Sequence, residues 1–156
     1  MKPLQPGDAL LIVDVQNDFV ADGALAVPGG QEVIPPLRGY LALFAEHGLP
    51  VFATRDWHPP DHCSFHTQGG PWPPHCVAHT PGAQFPEDLR LPPSAIVISK
   101  GTDPTREAYS GFQGTPLHDR LRTARIVRLF IGGLASDYCV LETVRDARTL
   151  GYEVCL

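Results

Sequence analysis

A doubly wound α/β domain, with a mostly parallel sheet and helices on both faces, is predicted by three features of this sequence. Short continuous apolar runs recur along the chain, helix-patterned stretches separate several of them, and residues with chemical potential stand at the carboxyl ends of the runs. Continuous rather than alternating runs fit strands covered on both faces. Their alternation with helices implies parallel strands joined by crossovers.

The strands are expected at residues 9–14 (ALLIVD), 50–54, 95–99 (AIVIS) and 126–131, with a fifth beginning at Tyr152. A first helix is expected over 33–47, with Leu37, Leu41, Phe44 and Ala45 as its apolar positions and Gly48 at its end. A short helix is expected over 117–124. A third should run over 137–150, started by a Ser136 cap and stopped by Gly151. The stretch 55–93 breaks the alternation with three Pro-Pro pairs and no periodicity, yet holds five of the seven histidines and both tryptophans. Irregular stretches of that length are uncommon in compact domains unless functional or disordered, and disorder rarely gathers Trp and His.

The 156 residues suit one domain spanning 1–156, and 43% hydrophobic with 19% charged residues describes a globular chain. The net charge of -5, with no run of Lys or Arg, argues against nucleic acid as a partner. Residues 1–7 lack the layout of a secretory signal, and no apolar stretch approaches the roughly 20 residues of a membrane span. The expectation is a soluble, cytoplasmic protein without a membrane partner. Cys63, Cys76, Cys139 and Cys155 contain no Cys-x-x-Cys pair and suggest free thiols rather than a disulfide framework.

Open α/β sheets bind ligands beyond the carboxyl ends of their strands. Those ends carry Asp14, then Asp56-Trp57-His58, then Lys100, then Gly132-Gly133-Leu134-Ala135-Ser136 leading to Cys139. At the start of the third helix a Cys139 thiolate should feel the helix dipole, which lowers its pKa. The plainer reading is a small residue packing helix on sheet. Asp14 is a capping or salt-bridged carboxylate, or an acid–base group with a raised pKa. Lys100 is a solvated strand-end lysine, or the cation that favours a thiolate. Asp56 and His58, two apart in extended chain, project to one side and suit a divalent metal. His75, after Trp72-Pro73-Pro74, is the choice for a third ligand, with His62 in reserve. A rival pattern pairs Cys63-x-x-His66 with Cys76-x-x-His79 as a closed zinc site.

The stretches Asp14-Val15-Gln16-Asn17-Asp18-Phe19, Arg55-Asp56-Trp57-His58-Pro59, Trp72-Pro73-Pro74-His75-Cys76, Lys100-Gly101-Thr102 and Asp137-Tyr138-Cys139-Val140 occur in this order. Together they resemble the nicotinamidases/pyrazinamidases of the isochorismatase-like cysteine hydrolase superfamily, from about Ala9 to Leu156. The resemblance implies a triad of Asp14, Lys100 and Cys139. It implies a metal ion (zinc, with iron or manganese as alternatives) on Asp56, His58 and His75, and places His62 close to the metal in some members. It implies a cis Leu134–Ala135 peptide, and an oxyanion hole from the N–H groups of Ala135 and Cys139. Phe19, Trp72 and Tyr109 match positions lining a pyridine pocket, and Tyr138 neighbours them. The implied activity is hydrolysis of nicotinamide, and of pyrazinamide, through a cysteine thioester, with the metal orienting the ring. Two alternatives are another small-amide hydrolase of the superfamily and a zinc-stabilised binding module without catalysis. Family members continue beyond the fifth strand, where this sequence stops at Leu156. The last C-terminal elements are therefore expected to be lacking, and the sheet to be completed by further residues or by a partner subunit in a homo-oligomer.

Overall fold

In the computed structural model, which describes residues 3–156, five strands form one all-parallel sheet in the order β3-β2-β1-β4-β5. The strands are β1 (Asp8–Val13), β2 (Val51–Asp56), β3 (Ile96–Lys100), β4 (Arg128–Gly133) and β5 (Glu153–Cys155). The helices are α1 (Ile34–Glu46), α2 (Leu117–Thr123) and α3 (Cys139–Thr149). Every residue of β1 is buried, and the reason lies on its two faces. Leu10 and Ile12 pack with Leu37, Leu41 and Phe44 of α1. Ala9, Leu11 and Val13 pack with Leu117 and Leu121 of α2 and with Val140 and Ala147 of α3. Each fully buried Leu or Ile contributes about 1.5–3 kcal/mol, so a strand clad on both sides must be apolar throughout. The doubly wound arrangement is as expected.

The helix ends follow local chemistry. Pro35 and Pro36 occupy the first turn of α1, where no intrahelical N–H is needed. At its other end Gly48 adopts φ of 64°. Its N–H donates to the Ala45 carbonyl and that of Leu49 to the Phe44 carbonyl, closing a Schellman turn. Ala45 itself is exposed, so the buried stripe of α1 is Ile34, Leu37, Leu41 and Phe44. No helix among the described residues is long and apolar enough to cross a membrane.

Three differences from the sequence expectation matter for the site. Strand β2 runs two residues further, to Asp56, because Arg55 and Asp56 pair with Ser99 and Lys100 of β3. Strand β4 is shifted by two, so Gly132 and Gly133 lie in the strand, paired with Ile12 and Val13, rather than in the following turn. A Cβ at Gly133 would stand 2.0 Å from the Val13 carbonyl oxygen, so glycine permits this close approach. Third, α3 starts at Cys139 and not at residue 137. The Ala135 carbonyl accepts the N–H groups of both Tyr138 and Val140, which ties 136–138 into a turn. Tyr138 takes the capping position, and exposed Ser136 makes no cap bond.

Candidate active site

The chain reverses its winding direction between β1 and β4, the place where open α/β sheets leave a crevice. Asp14 follows β1 and Cys139 follows β4. A cavity of about 250 Å³ opens there, with Cys139, Asp56 and His75 in its wall. Phe19, Trp72, Tyr109, Tyr138 and Ala135, all singled out in the sequence, line it as well.

The register creates the polar centre. Because Asp56 pairs with Lys100 across β2 and β3, their side chains meet, with Nζ 2.5 Å from Asp56 Oδ1. The same ammonium lies 2.9 Å from Asp14 Oδ2, 3.4 Å from Cys139 Sγ and 3.1 Å from the Ala108 carbonyl oxygen. Lys100 is 1% exposed, so the solvated strand-end reading is set aside. Two carboxylates hold its pKa well above the ordinary value, although burial alone would lower it. Asp14, at a left-handed φ of 49°, accepts a 2.7 Å hydrogen bond from Thr54 Oγ1 on its Oδ1. Its Oδ2 is buried, with the Lys100 ammonium at 2.9 Å as its partner. Burial raises the Asp14 carboxyl above its usual value against the pull of Lys100, and Asp56 adds to the rise.

Cys139 does not carry the lowered pKa expected from a helix start. Burial pushes its thiol well above the ordinary value, and Lys100 only partly offsets this. Burial thus favours the thiol over the thiolate at Cys139, and its sulfur and one oxygen from each of Asp14 and Asp56 lie within 4.8 Å of one another. The Leu134–Ala135 peptide is cis. The backbone N–H groups of Ala135 and Cys139 have no hydrogen-bond partner among the described residues.

Asp56, His58 and His75 bring one donor atom each within 4.8 Å of the others. His58 Nδ1 donates to the Gly101 carbonyl at 2.8 Å and His75 Nδ1 to that of Pro73 at 2.8 Å. A carbonyl can only accept, so both rings present an unprotonated Nε2 when neutral. Those atoms lie 3.6 Å and 4.0 Å from Asp56 Oδ2. Two imidazoles oriented by backbone carbonyls plus one carboxylate fit a divalent metal with open positions. Burial lowers the His75 pKa and so keeps its lone pair available. For His58, the Asp56 carboxylate overrides burial and raises it.

His62 stacks on His58 with ring centroids 4.1 Å apart, but both its nitrogens are engaged. Nδ1 accepts from Ser64 Oγ at 2.7 Å, and Nε2 donates to the Arg106 carbonyl at 3.1 Å. It stands behind the trio rather than in it. The rival Cys63, His66, Cys76 and His79 are not brought together as a donor group among the described residues. Cys76 is buried with Phe19, Ala83 and Leu134, while exposed His79 lies edge-on to Trp57.

Several participants were not assigned a role from the sequence. Gln16 is buried and holds both backbone groups of Asp56, its Oε1 accepting the N–H at 2.8 Å and its Nε2 donating to the carbonyl at 2.7 Å. Thr54 orients Asp14, and Glu107 lines the cavity wall. Only the inward polarity of Gln16 and Thr54 beside apolar strands could have hinted at them.

Fold and site together define a parallel α/β enzyme with its reactive groups at the carboxyl edge of the sheet. The chain belongs to the isochorismatase domain family, which it matches over residues 8–156. It is 41% identical to the nicotinamidase of Escherichia coli K12, covering 96% of this chain and 80% of that protein. It is 43% identical to the nicotinamidase/pyrazinamidase of Mycobacterium tuberculosis H37Rv, over 89% of this chain and 77% of the relative. The crystal structure of Pyrococcus horikoshii pyrazinamidase in complex with zinc superimposes with a TM-score of 0.92 at 50% identity, covering 96% of this chain and 82% of that one.

Proposed function

We propose that this protein is a nicotinamidase, hydrolysing nicotinamide to nicotinate and ammonia and accepting pyrazinamide by the same route. The observation that carries the reading is the meeting of two sets in one cavity: Asp14, Lys100 and Cys139 beside Asp56, His58 and His75. Relatives named for this activity, similar along nearly the whole chain, support it.

In the proposed reaction Asp14 Oδ2 takes the Cys139 proton as the sulfur attacks the carboxamide carbon. A buried acceptor next to a thiol that burial keeps protonated suits that transfer. Lys100 Nζ offsets the charge that develops on sulfur. The N–H groups of Ala135 and Cys139 receive the oxyanion. Asp14 then returns the proton to the leaving nitrogen, the C–N bond breaks and ammonia departs from a thioester. Asp14 next removes a proton from water, which attacks the thioester carbon, and nicotinate leaves as the thiol is restored. Phe19, Trp72, Tyr109 and Tyr138 provide the apolar walls for a flat azine ring. A divalent ion, zinc by preference, on Asp56 Oδ2 and the Nε2 atoms of His58 and His75 would supply a Lewis-acidic anchor that orients the ring.

Ammonia release from nicotinamide, pyrazinamide and an acyclic amide, measured side by side, tests the reading. Turnover of both azine amides and neglect of the acyclic one is expected. Activity on the acyclic amide alone would defeat it and favour another small-amide hydrolase of the family.

A further inference from the structure

The Lys100 ammonium stands where three metal-type donors converge. The Cys139 sulfur and one oxygen from each of Asp14 and Asp56 are buried and lie within 4.8 Å of one another. A thiol and two carboxylates in that span are a donor set a divalent ion takes readily. Asp56 belongs to both donor groups, with Oδ1 toward Lys100 and Oδ2 toward His58 and His75. A carboxylate shared in this way is the bridging element of two-metal centres. In this protein one of the two positions already holds a positive charge, with Nζ 2.9 Å from Asp14, 2.5 Å from Asp56 and 3.4 Å from Cys139.

A second observation points the same way. The ammonium lies within hydrogen-bond reach of Asp56, Ala108 and Cys139. Asp14 Oδ2, fully buried, has the same cation as its partner, with Nζ 2.9 Å away. One cation thus faces all three donors of the set, the place a divalent ion would take.

We propose that Lys100 is a specificity-determining residue: a tethered monocation filling a latent divalent-metal site formed by Asp14, Asp56 and Cys139, which confines the metal to Asp56, His58 and His75. The inference rests on the metal-assisted reading above, because only a protein that recruits a divalent ion needs to keep one off its nucleophile. An ion bound at Cys139 would displace the thiol proton to solvent and occupy the sulfur lone pair needed for attack. The ammonium supplies charge to the carboxylates and touches the sulfur only through a 3.4 Å hydrogen bond, which leaves it uncoordinated.

Cobalt(II) chloride is the probe, titrated into the chelator-stripped full chain and followed by elemental analysis and near-ultraviolet absorption. The wild type should bind one Co²⁺ per chain and show no thiolate-to-cobalt charge-transfer band. Lys100→Met should bind two and gain the band, and Lys100→Met/Cys139→Ser should lose it again. Lys100→Ala serves as a second variant, with circular dichroism confirming that each is folded. Two results overturn the proposal: a wild-type band that Cys139→Ser abolishes, or folded Lys100 variants that still bind one ion and show no band. Should neither variant fold, the wild-type titration decides alone, absence of the band in excess cobalt supporting exclusion and its presence refuting it. Failure of the wild type to bind any Co²⁺ would count against the Asp56/His58/His75 site instead, and the contrast between wild type and variants would still decide the role of Lys100.

Discussion

Lys100 has four neighbours within 3.4 Å, and Asp14 Oδ2, 2.9 Å from Nζ, shares the cation with Asp56, Ala108 and Cys139. In the proposed reaction the Asp14 carboxylate is the base, beside its adjacent cation. Asp14→Asn should lower kcat/KM for nicotinamide by about 10²–10⁴-fold, the range for a lost general base. The carboxylate must be ionised to accept a proton, and its pKa is raised above 3.8. Activity should therefore fall as pH drops through that raised value, sooner than for an ordinary aspartate. The pH–rate profile checks this, since the residual activity of Asp14→Asn should lack that acid limb. His75→Ala tests the metal trio more cleanly than Asp56→Ala, because Asp56 also receives the Lys100 hydrogen bond. Metal content should drop, KM should rise and kcat should fall as the ring loses orientation. Full metal occupancy in His75→Ala would show that the trio is misassigned.

At the scale of elements, strand register decides which side chains meet. Pairing of Asp56 with Lys100 across β2 and β3 joins the proposed metal trio to the proposed triad. Pairing of Val13 with both Thr54 and Gly133 sets Asp14 between its hydrogen-bond donor and the strand that leads to Cys139. The turn after β3 supplies a less obvious support. Gly101 adopts φ of 62°, its carbonyl fixes His58 Nδ1, and a Cβ there would lie 2.4 Å from His58 Cε1. Gly101→Ala should therefore displace an imidazole without replacing any ligand. Metal affinity is expected to fall roughly 10–100-fold, the usual cost of disturbing a ligand's supporting contact. Zinc competition against a chromophoric chelator measures it, and unchanged affinity would mean that His58 is positioned by other contacts.

Across the whole molecule, a buried ion pair joins the entry of β1 to that of β4, far along the chain. Arg128 Nε donates to Asp8 Oδ1 at 2.8 Å, and a second guanidinium nitrogen meets Oδ2 at 2.5 Å. Both residues are at most 2% exposed, and the pair follows directly from the register of Asp8 with Arg128. Burial would raise the Asp8 pKa, but the Arg128 hydrogen bonds hold it below 3.8. A depressed carboxylate contributes stability that is present above the unfolded value and is lost as pH falls through the folded one. Asp8→Asn should accordingly lower the Tm at pH 7, and its gap from wild type should narrow below pH 3.8. Thermal unfolding at pH 7 and in the acid range reads this out. A gap that persists unchanged in acid would assign the loss to packing rather than charge.

Much of this molecule is legible in one dimension. The sequence by itself determined the two-faced sheet, because runs such as ALLIVD have no polar side to offer water. It determined to within two residues which side chains reach the carboxyl edge, since β2 and β4 run on to Asp56 and Gly133 past the ends of their apolar runs. It also marked 55–93 as functional, since Pro, His and Trp gather there without periodicity. Tertiary structure alone decided how those residues are poised. The Cys139 thiol is raised rather than lowered because burial, a property of the whole packing, outweighs Lys100 and the helix start. Ser136 fails as a cap because the Ala135 carbonyl closes a turn first. Gln16 and Thr54 become essential braces only once β1 and β2 are side by side. Composition and spacing record which groups a chain carries, whereas desolvation and hydrogen bonding depend on neighbours up to 125 residues apart along it, and only folding supplies those.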